Sequence, residues 1–388
     1  MTPLRVFILA GEPSGDKLGG ALMAGLKALR PEVVFDGIGG VQMQAEGLAS
    51  RFDMDELSVM GLTEVLPKYR HLKRRIAETA RAVIDMQPDV LITIDSPDFS
   101  LRVAKLVKAG SNIRTVHYVA PTVWAWRAGR AAKMARHIDH VLALFPFEPP
   151  LMQAAGTRCD FVGHPVVAEP VANKAEADAF RLRHGMGRKP LLMVLPGSRR
   201  GEVARLGDRF GEVVKSLKGR HPDMQIVVPA AGPVADAVLA LAASWPDSVV
   251  LDPRGGDYET TMVEKRAAFQ AADIALAASG TVSLELAASR TPMVIAYDMS
   301  PLSRLIISRM MLVDTVTLVN LVSDTRAVPE FIGKACVPAA IAQGIEDVIA
   351  APEAQRAAME LTMERLGRGG EAPGLRAAKA VLDGLGEA

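Results

Sequence analysis

Leu191-Leu192-Met193-Val194-Leu195-Pro196-Gly197-Ser198-Arg199 is an unbroken apolar run that ends in a Gly-punctuated turn and passes into a polar helix start. Five apolar residues without alternation read as a strand buried on both faces, as in a parallel sheet covered by helices. The turn would leave backbone N–H groups facing outward at a helix N-terminus with Arg199 beside them, which suits an anion. The pattern recurs where Ile274-Ala275-Leu276-Ala277-Ala278 meets Ser279-Gly280-Thr281-Val282-Ser283-Leu284-Glu285. There the first amides can meet phosphate, and Glu285 can accept from a ribose hydroxyl. An ordinary strand-to-helix loop capped by Ser or Thr explains either turn alone. Two in one half-chain, one carrying Arg, read as the jaws of one site for a diphosphate nucleotide, with Ser198, Arg199, Gly280, Thr281 and Glu285 as its binding residues.

The same rhythm extends in both directions. Short β-branched runs alternate with helical patterns: Val6 to Ala10, Val33 to Phe35, Val90 to Ile94, Arg114 to Val119, His140 to Leu144 and Cys159 to Val162 in the first half. In the second half the runs are Leu191 to Leu195, Gln225 to Pro229, Ser248 to Leu251, Ile274 to Ala277 and Pro292 to Ala296. That order predicts an α/β protein with parallel sheets. Gly163-His164-Pro165-Val166-Val167-Ala168-Glu169-Pro170 has no periodicity and reads as a linker. Two doubly wound, Rossmann-like domains facing across a cleft are therefore expected, residues 1–165 and 166–349. The Ala-rich tail 350–388 reads as helices that pack back on the first domain. In such sheets ligands sit beyond the carboxyl ends of the strands, where these Gly-rich turns fall.

Composition narrows the class. The chain has 388 residues, 45 basic against 44 acidic, for a net charge of +1, so nothing global argues for nucleic acid and any polyanion site must be local. Cys159 and Cys336 stand alone, without disulfide or zinc-ligand spacing, which suits a reducing cytoplasm. The N-terminus runs at once into a strand and carries no signal-peptide pattern, and no run approaches the roughly 18 apolar residues that a spanning helix requires.

The turns of the first half are acidic. Gly11-Glu12-Pro13-Ser14-Gly15-Asp16 would repel a pyrophosphate but suits the hydroxyls of a sugar, through Glu12, Ser14 and Asp16. Ser14 and Asp16 would equally serve as caps of the next helix. Asp95-Ser96-Pro97-Asp98 puts two carboxylates at a strand exit, with Pro97 fixing the loop. Asp98 is the candidate proton acceptor and Asp95 its neighbour in the acceptor site, although an N-cap and a structural hydrogen-bonder would look the same. Trp124-Ala125-Trp126-Arg127 offers two indoles and a guanidinium for a sugar phosphate; core packing of the rings is the alternative. Beyond these, Val59, Met60 and Leu62 adjoin a basic stretch that includes Arg74 and Arg75, a pattern suited to an anionic lipid surface. Leu302 to Val313 repeats it, and a buried amphipathic helix would carry either stretch as well.

Taken together these residues resemble the lipid-A-disaccharide synthases. The likeness runs through Gly11-Glu12, Ser14-Gly15-Asp16, Gly37-Ile38-Gly39-Gly40, Pro97-Asp98-Phe99, Trp124-Ala125-Trp126-Arg127, Phe145-Pro146-Phe147-Glu148, Gly163-His164-Pro165 and Pro196-Gly197-Ser198-Arg199. The resemblance implies a GT-B-type inverting glycosyltransferase whose first domain takes the lipid acceptor and whose second takes the UDP-sugar. It would join UDP-2,3-diacylglucosamine to 2,3-diacylglucosamine 1-phosphate at the inner face of an anionic inner membrane, with no cofactor and no metal, and as an oligomer or a monomer. A UDP-sugar epimerase of the same architecture, or a non-catalytic nucleotide-binding adaptor, is the alternative. By the resemblance, Asp98 is the base on the acceptor 6-hydroxyl, and Asn320 is a further donor-site residue. The chain departs from the family pattern at Pro13, Ser100, Thr122, Val319 and Gly333. Val319, where the family has proline, is expected to alter the backbone beside Asn320.

Overall fold

The computed structural model describes residues 3–57, 62–126, 129–300 and 310–386, without the side chains of 62–69. The chain divides into two compact units, Met1–Ala168 with Gly369–Ala388, and Glu169–Arg368. The first contains β1 (Arg5–Ala10), α1 (Pro13–Leu29), β2 (Val34–Ile38), α2 (Val41–Ala45), α3 (Leu62–Met86), β3 (Val90–Ile94), α4 (Pro97–Gly110), β4 (Arg114–Tyr118), α5 (Gly129–Met134), β5 (His140–Ala143), α6 (Glu148–Ala154) and β6 (Arg158–Phe161). The second contains α7 (Lys174–Arg183), β7 (Leu191–Leu195), α8 (Arg200–Arg220), β8 (Gln225–Pro229), α9 (Ala235–Ala242), β9 (Ser248–Leu251), α10 (Tyr258–Ala271), β10 (Ile274–Ala277), α11 (Val282–Ala288), β11 (Met293–Tyr297), α12 (Leu318–Ser323), β12 (Glu330–Ile332), α13 (Pro338–Ala350) and α14 (Glu353–Arg365). The final helix, α15 (Pro373–Leu385), returns to the first unit.

Both units are parallel sheets, ordered β2-β1-β3-β4-β5-β6 and β12-β11-β10-β7-β8-β9. Val6 pairs with Val90 and Ala10 with Ile94, while Ile274 pairs with Leu192 and Ala277 with Leu195. Every residue of β3 and β7 is buried, as their unbroken apolar runs demand. The polar exceptions are partnered: Thr93 and His117 share a hydrogen bond of 2.7 Å, and full burial holds the imidazole neutral, with its pKa lowered to about 4. The strand order reverses between β1 and β3 in one sheet and between β7 and β10 in the other. The connections leave such a strand pair in opposite directions, opening a crevice at its carboxyl end.

One glycine is indispensable to the first sheet. Gly37 lies at φ +148°, and a Cβ there would stand 1.7 Å from the carbonyl oxygen of Ile8 on the paired strand. β12, a three-residue edge strand, lies outside the predicted runs because so short a segment carries no period.

The tail divides differently from the expectation that all of residues 350–388 pack on the first unit. α14 stays with the second, where Thr362 Oγ1 donates to the Val319 carbonyl at 3.2 Å and Arg365 donates to that of Val322 at 2.7 Å. α15 lies against α1, at a spacing that only small residues permit. A Cβ on Gly374 would sit 2.4 Å from the Ala21 carbonyl oxygen, and one on Gly25 would sit 2.7 Å from that of Gly374. Arg376 secures the helix by donating to the Phe161 carbonyl at 2.8 Å. Gly374→Leu is expected to lower the stability of the first unit by about 1–3 kcal/mol through overpacking, measured by urea unfolding of the full chain.

Candidate functional site

The turns that follow β7 and β10 meet at the reversal point of the second sheet. They line a cavity of about 790 Å³ together with Pro229–Gly232, Val250–Pro253 and the α10 residues Thr261, Lys265 and Phe269. Gly197, at φ +121°, and Gly280, at φ +145°, carry the backbone through conformations that other residues rarely adopt. Space is open where a Cβ of Gly280 would stand, so a ligand can approach this backbone closely. Ser283 Oγ donates to the Gly280 carbonyl at 2.9 Å and stiffens the turn.

Ser198, Arg199, Gly280, Thr281 and Glu285 all line this one cavity. The amides of Ser198 and Arg199, expected to face an anion, already have an acceptor. Glu202 Oε2 takes both, at 3.2 and 3.3 Å, and its Oε1 lies 3.3 Å from the Arg199 guanidinium. A Cβ on Gly197 would come within 2.7 Å of Glu202, so the glycine and the glutamate fit as a pair. The sequence signal for Glu202 is its place three residues after the N-cap, as in a capping box. Arg199 itself keeps an exposed side chain at the cavity. Glu285 is paired with Lys265, whose Nζ lies 2.6 Å from Oε2. The wall formed by Pro229–Gly232 and Val250–Pro253 was not foreseen; its signal was the Pro-Ala-Ala-Gly break after β8.

In the first unit the acidic turns lie at the β1–β3 reversal. Two successive residues, Asp95 (φ 47°) and Ser96 (φ 44°), adopt left-handed backbone, and β-branched Val119 does so at φ 84° at the exit of neighbouring β4. Three residues of left-handed backbone thus sit together at the exits of two paired strands. Asp95 is half-buried, and loss of water raises its pKa. Asp98 is fully exposed in the first turn of α4, with the Arg102 guanidinium 3.9 Å away. Beneath them the hydroxyls of Ser96 and Ser100 are buried without a partner among the described residues. Gly11 lets the two turns approach closely, because a Cβ there would lie 2.6 Å from Ser96 Oγ.

Trp124 belongs to an aromatic cluster. Its ring meets Phe145 and Phe147 edge-on at 6.4 and 5.4 Å, and those two stack at 5.4 Å. Its indole N–H donates to Glu148 Oε1 at 3.3 Å, and Glu148 Oε2 accepts from the amides of Leu144 and Phe145. Trp126 donates to Thr122 Oγ1 at 3.2 Å and carries the Arg130 guanidinium 5.3 Å from its ring centre. Arg127 lies outside the described residues.

The sequence profile described as lipid-A-disaccharide synthetase matches residues 6–374. The chain belongs to the lipid-A-disaccharide synthase family. It is 66% identical to the lipid-A-disaccharide synthase of Ruegeria pomeroyi over 98% of this chain and 96% of the relative. It is 45% identical to that of Rhodospirillum centenum over 99% and 95%. Among solved structures it is similar to the Staphylococcus aureus MnaA–UDP co-structure, at TM-score 0.68 and 11% identity, covering 100% of this chain and 98% of that one. It is also similar to UDP-GlcNAc 2-epimerase from Neisseria meningitidis bound to UDP-GlcNAc, at TM-score 0.63 and 13% identity, covering 100% of both. At such identities the likeness concerns the fold, which is the GT-B architecture. As a lipid-A-disaccharide synthase the chain is a glycosyltransferase.

Three residues assigned to ligands on sequence grounds have other work in this family member. Asp16 is buried and accepts from the amides of Gly40, Gln42 and Met43 at 2.8, 2.9 and 3.0 Å, so it caps α2 and closes the second Gly cluster instead of facing an acceptor. Ser14 is exposed and Glu12 half-buried, both at the start of α1. Asn320 is buried and outside the cavity lining. Its amide donates to the Val328 carbonyl at 2.9 Å and its oxygen accepts from the Val328 amide at 3.0 Å, so it braces the segment that leads to β12. Val319 beside it lies in the first turn of α12, a position proline also tolerates, so that departure leaves a helix start in either case. Arg75 is bound bidentately by Glu56 at 2.8 Å and lies 4.4 Å from the Phe52 ring centre, so its guanidinium already has an acidic partner. Arg74 is exposed, near His71 and Glu78. Val59, Met60 and the side chain of Leu62 lie outside the described residues, as does 302–309 of the second amphipathic stretch.

Glu148 gives a pH test. Burial pushes its pKa up to about 7 against the pull of its three hydrogen-bond donors. A carboxyl raised in the folded state contributes stability that is complete below its unfolded value and lost as pH rises through the folded one. The first unit should therefore lose on the order of 3 kcal/mol between about pH 4.5 and 7 from this group. Glu148→Gln should flatten that slope and change the Trp124 emission, measured by urea unfolding across the pH range.

Proposed function

We propose that this chain joins UDP-2,3-diacylglucosamine to 2,3-diacylglucosamine 1-phosphate through a β-1′,6 bond, releasing UDP. The observation that carries the donor half is the cavity at the reversal of the second sheet, where two glycine turns, Arg199, Thr281 and Glu285 converge. The diphosphate would lie along Gly280 and Thr281 under Arg199, and the ribose against Glu285. Pro229–Gly232 and Val250–Pro253 would flank the base. The leaving diphosphate gains negative charge as the sugar bond breaks, and a guanidinium and oriented amides stabilise that charge without a metal.

The acceptor half rests on the first unit. Asp98, exposed and lightly paired, takes the proton of the attacking 6-hydroxyl, and attack opposite the leaving diphosphate inverts the anomeric centre. Asp95, desolvated and held on strained backbone, shapes the same edge and accepts from sugar hydroxyls. Trp124 and Trp126 with Arg127 receive the remainder of the acceptor, together with Glu12 and Ser14.

The protein works at the surface of an anionic inner membrane, on the cytoplasmic side. In support, Arg70, Lys73 and Arg74 are exposed on α3. No helix among the described residues is long and apolar enough to cross a membrane. A UDP-sugar epimerase would keep its sugar on one nucleotide and require no acceptor, and family membership disfavours it.

Acceptor-dependent UDP release from the two acylated substrates is the deciding assay. Asp98→Ala should lower turnover by about 10²–10⁴-fold with UDP affinity unchanged, whereas Arg199→Ala should weaken UDP binding and turnover together. Conversion of the donor to another UDP-sugar without acceptor would overturn the assignment.

A further inference from the structure

Glu285 does not meet the cavity alone. Lys265, from the second half of α10, places its Nζ 2.6 Å from Glu285 Oε2 at the start of α11. The same ammonium lies 5.2 Å from the centre of the Phe269 ring one helical turn on, so a cation–π contact and an ion pair fix it together. All three residues line the cavity, and the two charged side chains are about one-third exposed, Lys265 at 33% and Glu285 at 36%. The pairing is one-sided: Oε2 takes the ammonium, and Oε1 has no side-chain or backbone donor among the described residues.

We infer that Lys265 is a positioning residue that aims Glu285 Oε1 at the ribose hydroxyls of the donor nucleotide. This rests on the reading that the cavity takes uridine diphosphate. Two physical reasons support it. A carboxylate accepts through two oxygens, and a lysine that takes Oε2 leaves Oε1 to accept from a hydroxyl. A glutamate side chain also has three rotatable bonds, and anchoring one oxygen removes most of the conformational freedom that ribose binding would otherwise have to restrict. The neighbouring pair does not compete for the lysine, because Glu264 is held by His184 at 2.8 Å.

The test is calorimetric binding of UDP and of 2′,3′-dideoxy-UDP to the full-length protein, to Lys265→Met, Lys265→Arg and Glu285→Gln. Methionine keeps an unbranched stem against Phe269 and removes the charge. Lys265→Met should weaken UDP by about five- to twentyfold, the loss of one charge-assisted contact, and change dideoxy-UDP less than about twofold; Lys265→Arg should restore most of the difference. Equal weakening of both nucleotides would overturn the inference, since the lysine would then act on the diphosphate or on the fold. No change in either would overturn it as well. Glu285→Gln separates the two levels. If it leaves the preference for UDP over dideoxy-UDP intact, the ribose reading fails; if it abolishes that preference and Lys265→Met does not, only the lysine assignment fails.

Discussion

A parallel sheet whose connections depart in opposite directions from one pair of strands cannot close over the carboxyl ends of that pair, and both units are built on this constraint. In the second unit the open pair is β7 and β10, and the turns behind them carry Gly197 to Arg199 and Ser279 to Thr281. In the first unit it is β1 and β3, and the turns carry Gly11 to Ser14 and Asp95 to Asp98. The site residues do not converge because helices or loops chose them. They converge because hydrogen-bond order in the sheet leaves one gap, and chemistry-bearing turns border it.

Carboxylates of low exposure hold backbone in shape in both units. Asp16 gathers three amides, Glu148 gathers two amides and an indole, and Glu202 gathers two amides and a guanidinium. Each satisfies backbone donors that would be costly to leave unpaired at a helix start. The acidic residues of this chain thus fall into two kinds. Some brace backbone, while Asp98 and Glu285 keep oxygen atoms available at an edge.

The sheets were legible in the sequence because buried strands leave continuous apolar runs: Val90 to Ile94 and Leu191 to Leu195, buried throughout, match their observed bounds, as do Gln225 to Pro229 and the half-buried edge strand Ser248 to Leu251. The two glycine turns of the second unit were legible as well, since glycine at positive φ and arginine at a helix start are local signals. What escaped was non-local. Asp16 reaches amides more than twenty residues away, and no spacing rule connects it to Gly40. Asn320 reads as a polar residue between leucine and valine, and only the return of the chain at Val328 makes it a brace. The tail misled for a similar reason: α14 and α15 are both Ala-rich, and the choice of unit lies in contacts with Val319 and Ala21 that periodicity does not encode.

The glycine-lined seam between α1 and α15 joins two helices that the whole second unit separates in sequence. During synthesis the N-terminal sheet therefore emerges without α15, which follows only after the entire second unit. Loop-closure entropy rises only logarithmically with length, so the finished chain closes this long circuit at modest cost. The growing chain has no such option until α15 has been made, so the first unit is completed only after the second has been synthesised.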